Sequence, residues 1–290
     1  MNKRAAAISH GAVTVINAIA AGVGSAIGVD LWTRAEVEIL PEEKYECIIP
    51  GFEDTDTKLM ENCARKVFEK YNIRGYGARI ITYSNIPIGK GLKSSSAAAN
   101  AVVLATVKAL DVEASDIEII KMGVEAAIES KVTVTGAFDD AAASYFGGLV
   151  LTDNIKREII LRKTFTERIK VALLIPDHRV FTRTPEAINK TKLIGRLIPH
   201  LIELVKKGKV EDAMNFNGFL YGACYGTPME IIFKALEGGA KAVSVSGTGP
   251  TVAALIDESE TDSLKKAWSG FKGEVRIVNI NNSKATATTL

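Results

Sequence analysis

One short stretch constrains the fold of this chain more than any other, residues 87–100, which read PIGKGLKSSSAAAN. Glycines and lysines are followed by three serines and then by alanines, a pattern typical of a loop that opens a helix. The first-turn N–H groups of a helix have no partner within the helix, so they bind anions well. The stretch predicts a phosphate site; the alternative is a surface turn before an alanine-rich helix.

Composition limits the classes of function. The chain has 290 residues, of which 47% are hydrophobic, enough for one large domain or two ordinary ones. Its formal net charge of +2 and the lack of a long basic run indicate neither nucleic acid nor an anionic membrane as a partner. The three cysteines and three histidines lack zinc-site spacing. A small-molecule partner and a reducing, cytoplasmic location fit these observations.

The N-terminus imitates a secretory signal, because MNKR precedes an uncharged run over residues 11–29. Thr14, Asn17, Ser25 and four glycines interrupt this run, which is poor for a membrane helix and suits a strand and a loop. Export or anchoring is the alternative interpretation.

Hydrophobic periodicity predicts a first unit over residues 1–155 and a second over 156–290. In the first unit we expect strands at 4–18, 31–40, 78–83 and 149–152, a loop at 20–28, and helices at 55–71, 94–110 and 115–130. The second unit has the order strand, helices, two strands, helix, strand, which is that of a ferredoxin-like α+β unit. Its strands begin with 158–162 and 169–176, and residues 281–290 are predicted to form a frayed tail.

Two further motifs carry polar chemistry. Residues 135–148, TGAFDDAAASYFGG, place the adjacent acids Asp139 and Asp140 among alanines and aromatics. Neighbours on a helix point about 100° apart, so we expect one carboxylate to cap the helix and the other to face a cleft. The alternative is a plain N-cap with a solvated acid. Residues 246–251, SGTGPT, are suited to bring backbone N–H groups against an anion.

In order and spacing, these three motifs resemble those of the GHMP kinases, the superfamily of homoserine, mevalonate and galactose kinases. The family pattern Pro-x-x-x-Gly-Leu-x-Ser-Ser-(Ser/Ala)-Ala is met from Pro87 to Ala97. Residues 11–20 (GAVTVINAIA) and 136–140 (GAFDD) look most like the archaeal-type shikimate kinases. The chain has no G-x-x-x-x-G-K-[ST] loop, which agrees with that likeness. The resemblance implies an α+β, two-domain GHMP kinase fold, with an N-terminal α/β domain and a ferredoxin-like C-terminal domain.

The resemblance also implies an activity. It indicates an ATP-dependent phosphotransferase that uses Mg²⁺ and ATP to phosphorylate the 3-hydroxyl of shikimate in the chorismate pathway to aromatic amino acids. The alternatives are another GHMP kinase, acting on homoserine, mevalonate or a sugar, and a nucleotide-binding protein without catalysis. Nothing in the sequence indicates an oligomeric state.

The site residues follow from the same resemblance. The expected nucleotide-binding residues are Pro87, Gly89, Lys90, Gly91, Leu92, Lys93, Ser94, Ser95, Ser96, Ala97, Gly247, Thr248 and Gly249. Ser95 is the first candidate Mg²⁺ ligand, and Glu129, 11 residues before Asp140, is the second.

The expected catalytic residues are Asp140, Asp139 and Lys90. Counting back from Gly147 selects Asp140 by the mevalonate kinase spacing and Asp139 by the homoserine kinase spacing, and we prefer Asp140. For shikimate we expect Asn17 and Asp140 as ligands, with Arg179 or Arg183 as a clamp on the carboxylate.

Overall fold

Two β-sheets with packed helices form the part of the chain described by the computed structural model, residues 3–133, 136–166, 168–177 and 184–290. The elements, in chain order, are β1 (Arg4–Ile16), β2 (Val23–Leu40), β3 (Tyr45–Ile48), α1 (Lys58–Lys70), β4 (Gly77–Ser84), α2 (Ser94–Leu110), α3 (Asp116–Glu129), α4 (Phe138–Phe146), β5 (Leu149–Asp153), β6 (Glu158–Lys163), β7 (Ile169–Ile175), α5 (Pro185–Ile194), α6 (Ile198–Lys206), α7 (Val210–Tyr225), α8 (Met229–Glu237), β8 (Ala242–Val245), β9 (Val252–Asp257), α9 (Thr261–Trp268), β10 (Glu274–Asn279) and β11 (Thr286–Thr289).

The first sheet has the strand order β11-β1-β2-β4-β3, and it is extended by β5, which pairs with β2, and by β6, which pairs with β5. Helix α2 lies against β1 and β2, and α1, α3 and α4 pack beside it. Five of its eleven buried residues are alanines, whose short side chains let the helix approach the sheet closely. This packing fixes the N-terminus of α2 at one end of β1.

The second sheet has the order β10-β7-β9-β8, with every pair antiparallel. This is the arrangement of a ferredoxin-like unit, so the predicted α+β class and the ferredoxin-like second half are confirmed. A continuous apolar core joins the two halves, because Val13 and Val15 of β1 belong to the same buried cluster as Val171 and Leu173 of β7. The loops at the ends of β1, β7 and β8 are thereby held near one another.

Three local predictions are wrong. Residues 23–28 belong to β2 and not to a loop, because β5 pairs with them from Val23↔Asp153 to Ile27↔Leu149. The predicted frayed tail contains β11, whose threonines suit a strand and pair with β1 from Ala5↔Thr289 to Ile8↔Thr286. β6 belongs to the first sheet, so the second sheet begins with β7. The division at residues 155 and 156 stays a prediction, since sheet pairing alone does not define a domain.

The segment that imitates a signal peptide forms β1 and the start of β2. Within the ranges that the structure describes, no helix has the length and apolar character needed to cross a bilayer.

Candidate active site

The serine-rich stretch forms a tight loop that leads into α2, as predicted. Gly89 and Gly91 have φ values of 69° and 82°, in the left-handed region that favours glycine. A Cβ at Gly91 would lie 2.3 Å from the carbonyl oxygen of Ser246, so only glycine allows the two loops to touch. Lys93 is the N-cap, and its side chain makes no capping bond to the first turn. Ser95 is exposed at this end of the helix, where first-turn N–H groups suit an anion.

The glycine-rich loop 246–251 lies against the serine-rich one and against the end of β1. Ser246 Oγ donates to Gly91 O at 2.7 Å, and Gly247 N donates to Thr14 Oγ1 at 2.8 Å. The Asn17 side-chain amide donates to Gly247 O at 2.7 Å. The structure therefore brings together two motifs that are about 150 residues apart in the sequence.

The two acids lie in the first turn of α4, near the positive end of its dipole. The prediction that one of them caps the helix is wrong, because the N-cap is Ala137, in the left-handed region with φ 45°. Asp140 instead pairs with Lys93, with Oδ1 and Nζ 2.8 Å apart. Lys93 Nζ also donates to Thr14 Oγ1 at 2.8 Å. The cation thus links the start of α2, the end of β1 and the start of α4.

Lys93 is unusual in both backbone and burial. Its φ of 67° places a lysine in a conformation that is unfavourable by roughly 1–2 kcal/mol for residues with a Cβ. Its side chain is 5% exposed, against 18% for its partner Asp140. Lysine is rarely buried so deeply unless it is paired. The chain therefore keeps a strained, buried lysine at a position where glycine would meet no backbone strain, which indicates that the ammonium group has a function.

Asp139 is buried, with 4% exposure, and is held by Asn154. The Asn154 amide nitrogen donates to Asp139 Oδ1 at 2.7 Å, and the Asp139 N–H donates to Asn154 Oδ1 at 3.1 Å. Burial, followed by the negative charge of Asp140, raises the pKa of Asp139 to about 7, against the opposing effects of Lys93 and of the Asn154 hydrogen bond. The neighbouring acids therefore differ: one is in an ion pair, and the other gains or loses a proton near neutral pH.

These groups surround a cavity of about 270 Å³. This is close to the lower end of the range of about 300–1,000 Å³ for small-molecule sites, which suits a small metabolite. The described residues that line it are Thr14, Asn17, Ala18, Ile19, Lys93, Thr133, Ala137, Asp139, Asp140, Asn154, Tyr225, Gly247 and Thr248.

Other predicted site residues lie elsewhere or have other contacts. Lys90 Nζ donates to the carbonyl oxygens of Pro176 and Asp177 after β7. Asn17 lines the cavity, but its amide nitrogen bonds to Gly247 O, and its amide oxygen accepts from Ile19 N at 3.0 Å.

Glu129 pairs with Lys66 of α1, is half exposed, and does not line the cavity. Arg179 and Arg183 lie outside the described residues.

Sequence reasoning missed several polar residues at this site, among them Thr14, Thr152 and Asn154. The roles of Thr14 and Asn154 become visible only through contacts with residues distant in the sequence, and that of Thr152 only through its bond to Asn154. The available signal is modest: a threonine within the apolar run of β1, and an asparagine directly after the buried strand β5.

A Mg²⁺ ion that arrives with ATP is coordinated mainly by phosphate oxygens and water, with one or two protein ligands. The described residues contain no cluster of three or more His, Cys, Asp or Glu side chains that could hold a metal ion. The exposed Ser95 hydroxyl at the start of α2 fits the smaller contribution that a nucleotide-bound ion requires.

Comparison with known proteins agrees with this geometry. Residues 58–148 match the GHMP kinases N terminal domain model, and residues 201–273 match the GHMP kinases C terminal model. A shikimate kinase of Methanosarcina acetivorans is 45% identical over 282 residues, 96% of this chain and 95% of that protein. A shikimate kinase of Pyrococcus furiosus is 42% identical, over 92% of this chain and 96% of that protein.

Solved structures share the fold at low identity. The Methanococcus jannaschii mevalonate kinase superposes with a TM-score of 0.77 at 16% identity, covering 96% of this chain and 98% of that one. The homoserine kinase of Cytophaga hutchinsonii superposes with a TM-score of 0.76, also at 16% identity, covering 99% and 98%.

The sheet order, the serine-rich helix start, the acidic pair and these matches together define a small-molecule kinase of the two-domain GHMP type. The chain belongs to the GHMP kinase superfamily and, within it, to the family of archaeal-type shikimate kinases. The predicted family is thus confirmed.

Proposed function

We propose that the protein transfers the γ-phosphoryl group of ATP to the 3-hydroxyl of shikimate. The observation that carries this proposal is the meeting, around one small cavity, of a buried lysine at the start of α2, two acids and the glycine-rich loop. The relatives that share 40–45% identity with this chain are shikimate kinases, which supports shikimate as the acceptor.

The triphosphate binds at the start of α2, with its oxygens at the first-turn N–H groups and at the loop that contains Gly247 and Gly249. Lys93 neutralises charge on the transferred phosphoryl group, which is what a loose phosphoryl-transfer transition state requires. We assign this role to Lys93 in preference to Lys90, because Lys93 lines the cavity and Lys90 Nζ contacts the carbonyl oxygens of Pro176 and Asp177.

The acceptor lies in the cavity. As its hydroxyl oxygen bonds to the γ-phosphorus, the bond from that phosphorus to the β,γ-bridging oxygen breaks, ADP leaves, and the hydroxyl proton passes to a carboxylate of the Asp139/Asp140 pair. General-base assistance of this kind contributes about 10²–10⁴-fold. For the substrate carboxylate we retain Arg179 or Arg183 as the clamp, with Asn17 as a further contact.

A Mg²⁺ ion bound with ATP would neutralise charge on the phosphates, which is the chemistry that it supplies in such kinases. Ser95 and Glu129 are the proposed protein ligands. We place the reaction in the cytoplasm, where ATP is available, and the three free cysteines fit a reducing compartment.

The test is an ADP-release assay with ATP, Mg²⁺ and a panel of acceptors: shikimate, homoserine, mevalonate and galactose. We expect turnover with shikimate alone, a shikimate 3-phosphate product by mass spectrometry, and loss of activity when EDTA removes the metal. Turnover with a different acceptor would refute the substrate. Nucleotide binding with no transfer to any acceptor would favour a non-catalytic protein.

A further inference from the structure

The catalytic role of Asp139 depends on how its carboxyl group is held in place. Asp139 would be a poor proton acceptor if its carboxyl could rotate away from the cavity, because proton transfer requires the reacting atoms within hydrogen-bond reach. Two residues outside α4 restrict it, Asn154 just after β5 and Gly24 in β2. Thr152 in β5 acts indirectly, by bonding to Asn154.

Asn154 has a defined amide orientation. Its Oδ1 accepts two hydrogen bonds, from the Asp139 N–H at 3.1 Å and from the Thr152 hydroxyl at 2.7 Å. Because both donors contact the amide oxygen of Asn154, its NH₂ group points to the Asp139 carboxyl. It donates to Asp139 Oδ1 at 2.7 Å. Asn154 is 7% exposed and Thr152 is fully buried, so water does not compete for these bonds.

Gly24 provides the space for the other carboxyl oxygen. A Cβ at this position would lie 2.2 Å from Asp139 Oδ2 and 2.9 Å from the Ala18 Cβ. One oxygen of Asp139 is thus hydrogen-bonded, and the second fits against a backbone position without a side chain.

From this geometry we propose that Asn154 is a positioning residue for Asp139, holding that carboxyl at the cavity wall as the group that accepts the proton of the acceptor hydroxyl. The inference rests on the proposed phosphoryl transfer and assigns the base within the acidic pair. Asp140 then serves as the ion-pair partner that keeps the Lys93 ammonium at the reacting phosphate. This assignment reverses the preference for Asp140 derived from sequence spacing.

The charges around Asp139 are consistent with this role. The charged groups that act on it are Asp140 beside it on α4 and Lys93 at the start of α2, and the phenol of Tyr221 on α7 also interacts with it. On the side of β2 and β5, the neighbours are Gly24 and Asn154, with Thr152 behind Asn154, and none of these carries a titratable group. The Asn154 hydrogen bond lowers the pKa of Asp139 and so favours its ionised, proton-accepting form.

The decisive test is a double-mutant cycle with Asn154→Ala and Asp139→Asn, measured as kcat for the acceptor that the wild-type enzyme turns over. Asn154→Ala alone should lower kcat about 10- to 100-fold, as expected for loss of a supporting contact, with the KM for ATP unchanged. If Asn154 acts through Asp139, adding Asn154→Ala to Asp139→Asn should cause no further loss in kcat. Losses that multiply would overturn the proposal.

The pH profile gives an independent readout. Removing the amide donor raises the pKa of Asp139, so the acidic limb of kcat/KM should move to higher pH in Asn154→Ala. Thr152→Val, which keeps the side-chain volume but loses the hydroxyl that orients Asn154, should cause a smaller shift in the same direction. An activity loss with an unchanged acidic limb in both variants would show a structural role only and would contradict the proposal.

Asn281→Ala is the matched control. Asn281 is 8% exposed, close to the value for Asn154, and its side chain hydrogen-bonds within its own loop to Ser283. We expect it to leave the pH profile unchanged. Because the cycle uses whichever acceptor the wild-type enzyme phosphorylates, a negative result with shikimate refutes the substrate and leaves the test of Asn154 intact.

Discussion

Two charged regions of the molecule use the same kinds of side chain in different ways. At the cavity, the side chains of Lys93 and Asp140 are 5% and 18% exposed. On the surface formed by α1 and α3, Lys66 pairs with Glu129 and Lys70 with Glu118, and these acids are 51% and 44% exposed. Water screens the surface pairs, so they contribute little, whereas a buried charge that loses its partner is strongly destabilising. Burial, more than charge, therefore distinguishes the site from the α1–α3 surface.

The largest expected effect is that of Lys93→Met. Loss of the ammonium should leave Asp140 without its partner, lower kcat about 10²–10³-fold, and destabilise the protein by roughly 3–5 kcal/mol. ADP release and urea unfolding measure the two effects. Lys70→Met, on the α1–α3 surface, is the control: it should leave kcat unchanged and cost at most about 1 kcal/mol of stability. A Lys93→Met variant with wild-type turnover would contradict a catalytic role for the buried ammonium group.

Gly24→Ala tests the packing around Asp139. The new methyl group should displace the carboxyl, because its ideal position lies 2.2 Å from Oδ2. Misplacement of a catalytic group by about 1 Å costs about 10²-fold in rate, so we expect a kcat loss of that order. Gly270→Ala is the control, since a Cβ there has no neighbour within 4 Å. Equal kcat values for the two variants would contradict the account.

The acids of the two regions should affect stability with opposite pH dependence. The pKa of Asp139 is raised to about 7, so between pH 4 and pH 7 the folded state binds the proton that the unfolded state has lost. The wild type therefore loses stability as the pH rises through this range. Asp139→Asn has no such proton, so it should gain stability relative to wild type over the same range.

The pKa of Glu118 is lowered to about 2, mainly by Lys70. Its contribution is present above about pH 4 and is lost as the pH falls towards 2. The stability difference between wild type and Glu118→Gln should therefore shrink on acidification. Urea midpoints across the pH range measure both differences, and the same trend for both variants would be inconsistent with these pKa shifts.

The smallest effect is expected from Glu129→Gln, which tests whether the α1–α3 surface contributes to the site at all. If Glu129 helps to hold Mg²⁺, the Mg²⁺ concentration for half-maximal rate should rise several-fold while the urea midpoint stays constant. Ser95→Ala should act in the same direction. An unchanged Mg²⁺ dependence in Glu129→Gln would leave that residue as a surface ion-pair partner of Lys66.

Local sequence patterns predicted much of the fold, because the preference of a segment for helix or strand depends mainly on neighbours in the sequence. Helix α2 was predicted at residues 94–110, and it spans Ser94–Leu110. Serines at its start and alanines along its length determine both its position and its close packing. The ferredoxin-like order of the second sheet likewise followed from alternating strand and helix patterns. β11 was missed because four threonine- and alanine-rich residues become a strand only through the free edge of β1.

The site was predictable only in part, because some of its contacts join residues that are distant in the sequence. The serine-rich loop, the acidic pair and the glycine-rich loop are compact motifs, and the structure brings all three together. Lys90 and Lys93 look equivalent in the sequence, and only the tertiary structure shows that Lys93 faces the cavity. Asn154 is 15 residues from Asp139, and their contact depends on the position of β5 against β2.

The proposed reaction requires that the start of α2 binds the terminal phosphates of ATP while the acceptor occupies the cavity beside Asp139 and Lys93. A crystal structure with Mg²⁺, a non-hydrolysable ATP analogue and shikimate tests it most directly. We predict the γ-phosphate at the N–H groups of residues 94–96 and the shikimate 3-hydroxyl within hydrogen-bond reach of Asp139. A nucleotide bound elsewhere, with Ser94–Ser96 making no contact to it, would contradict the account.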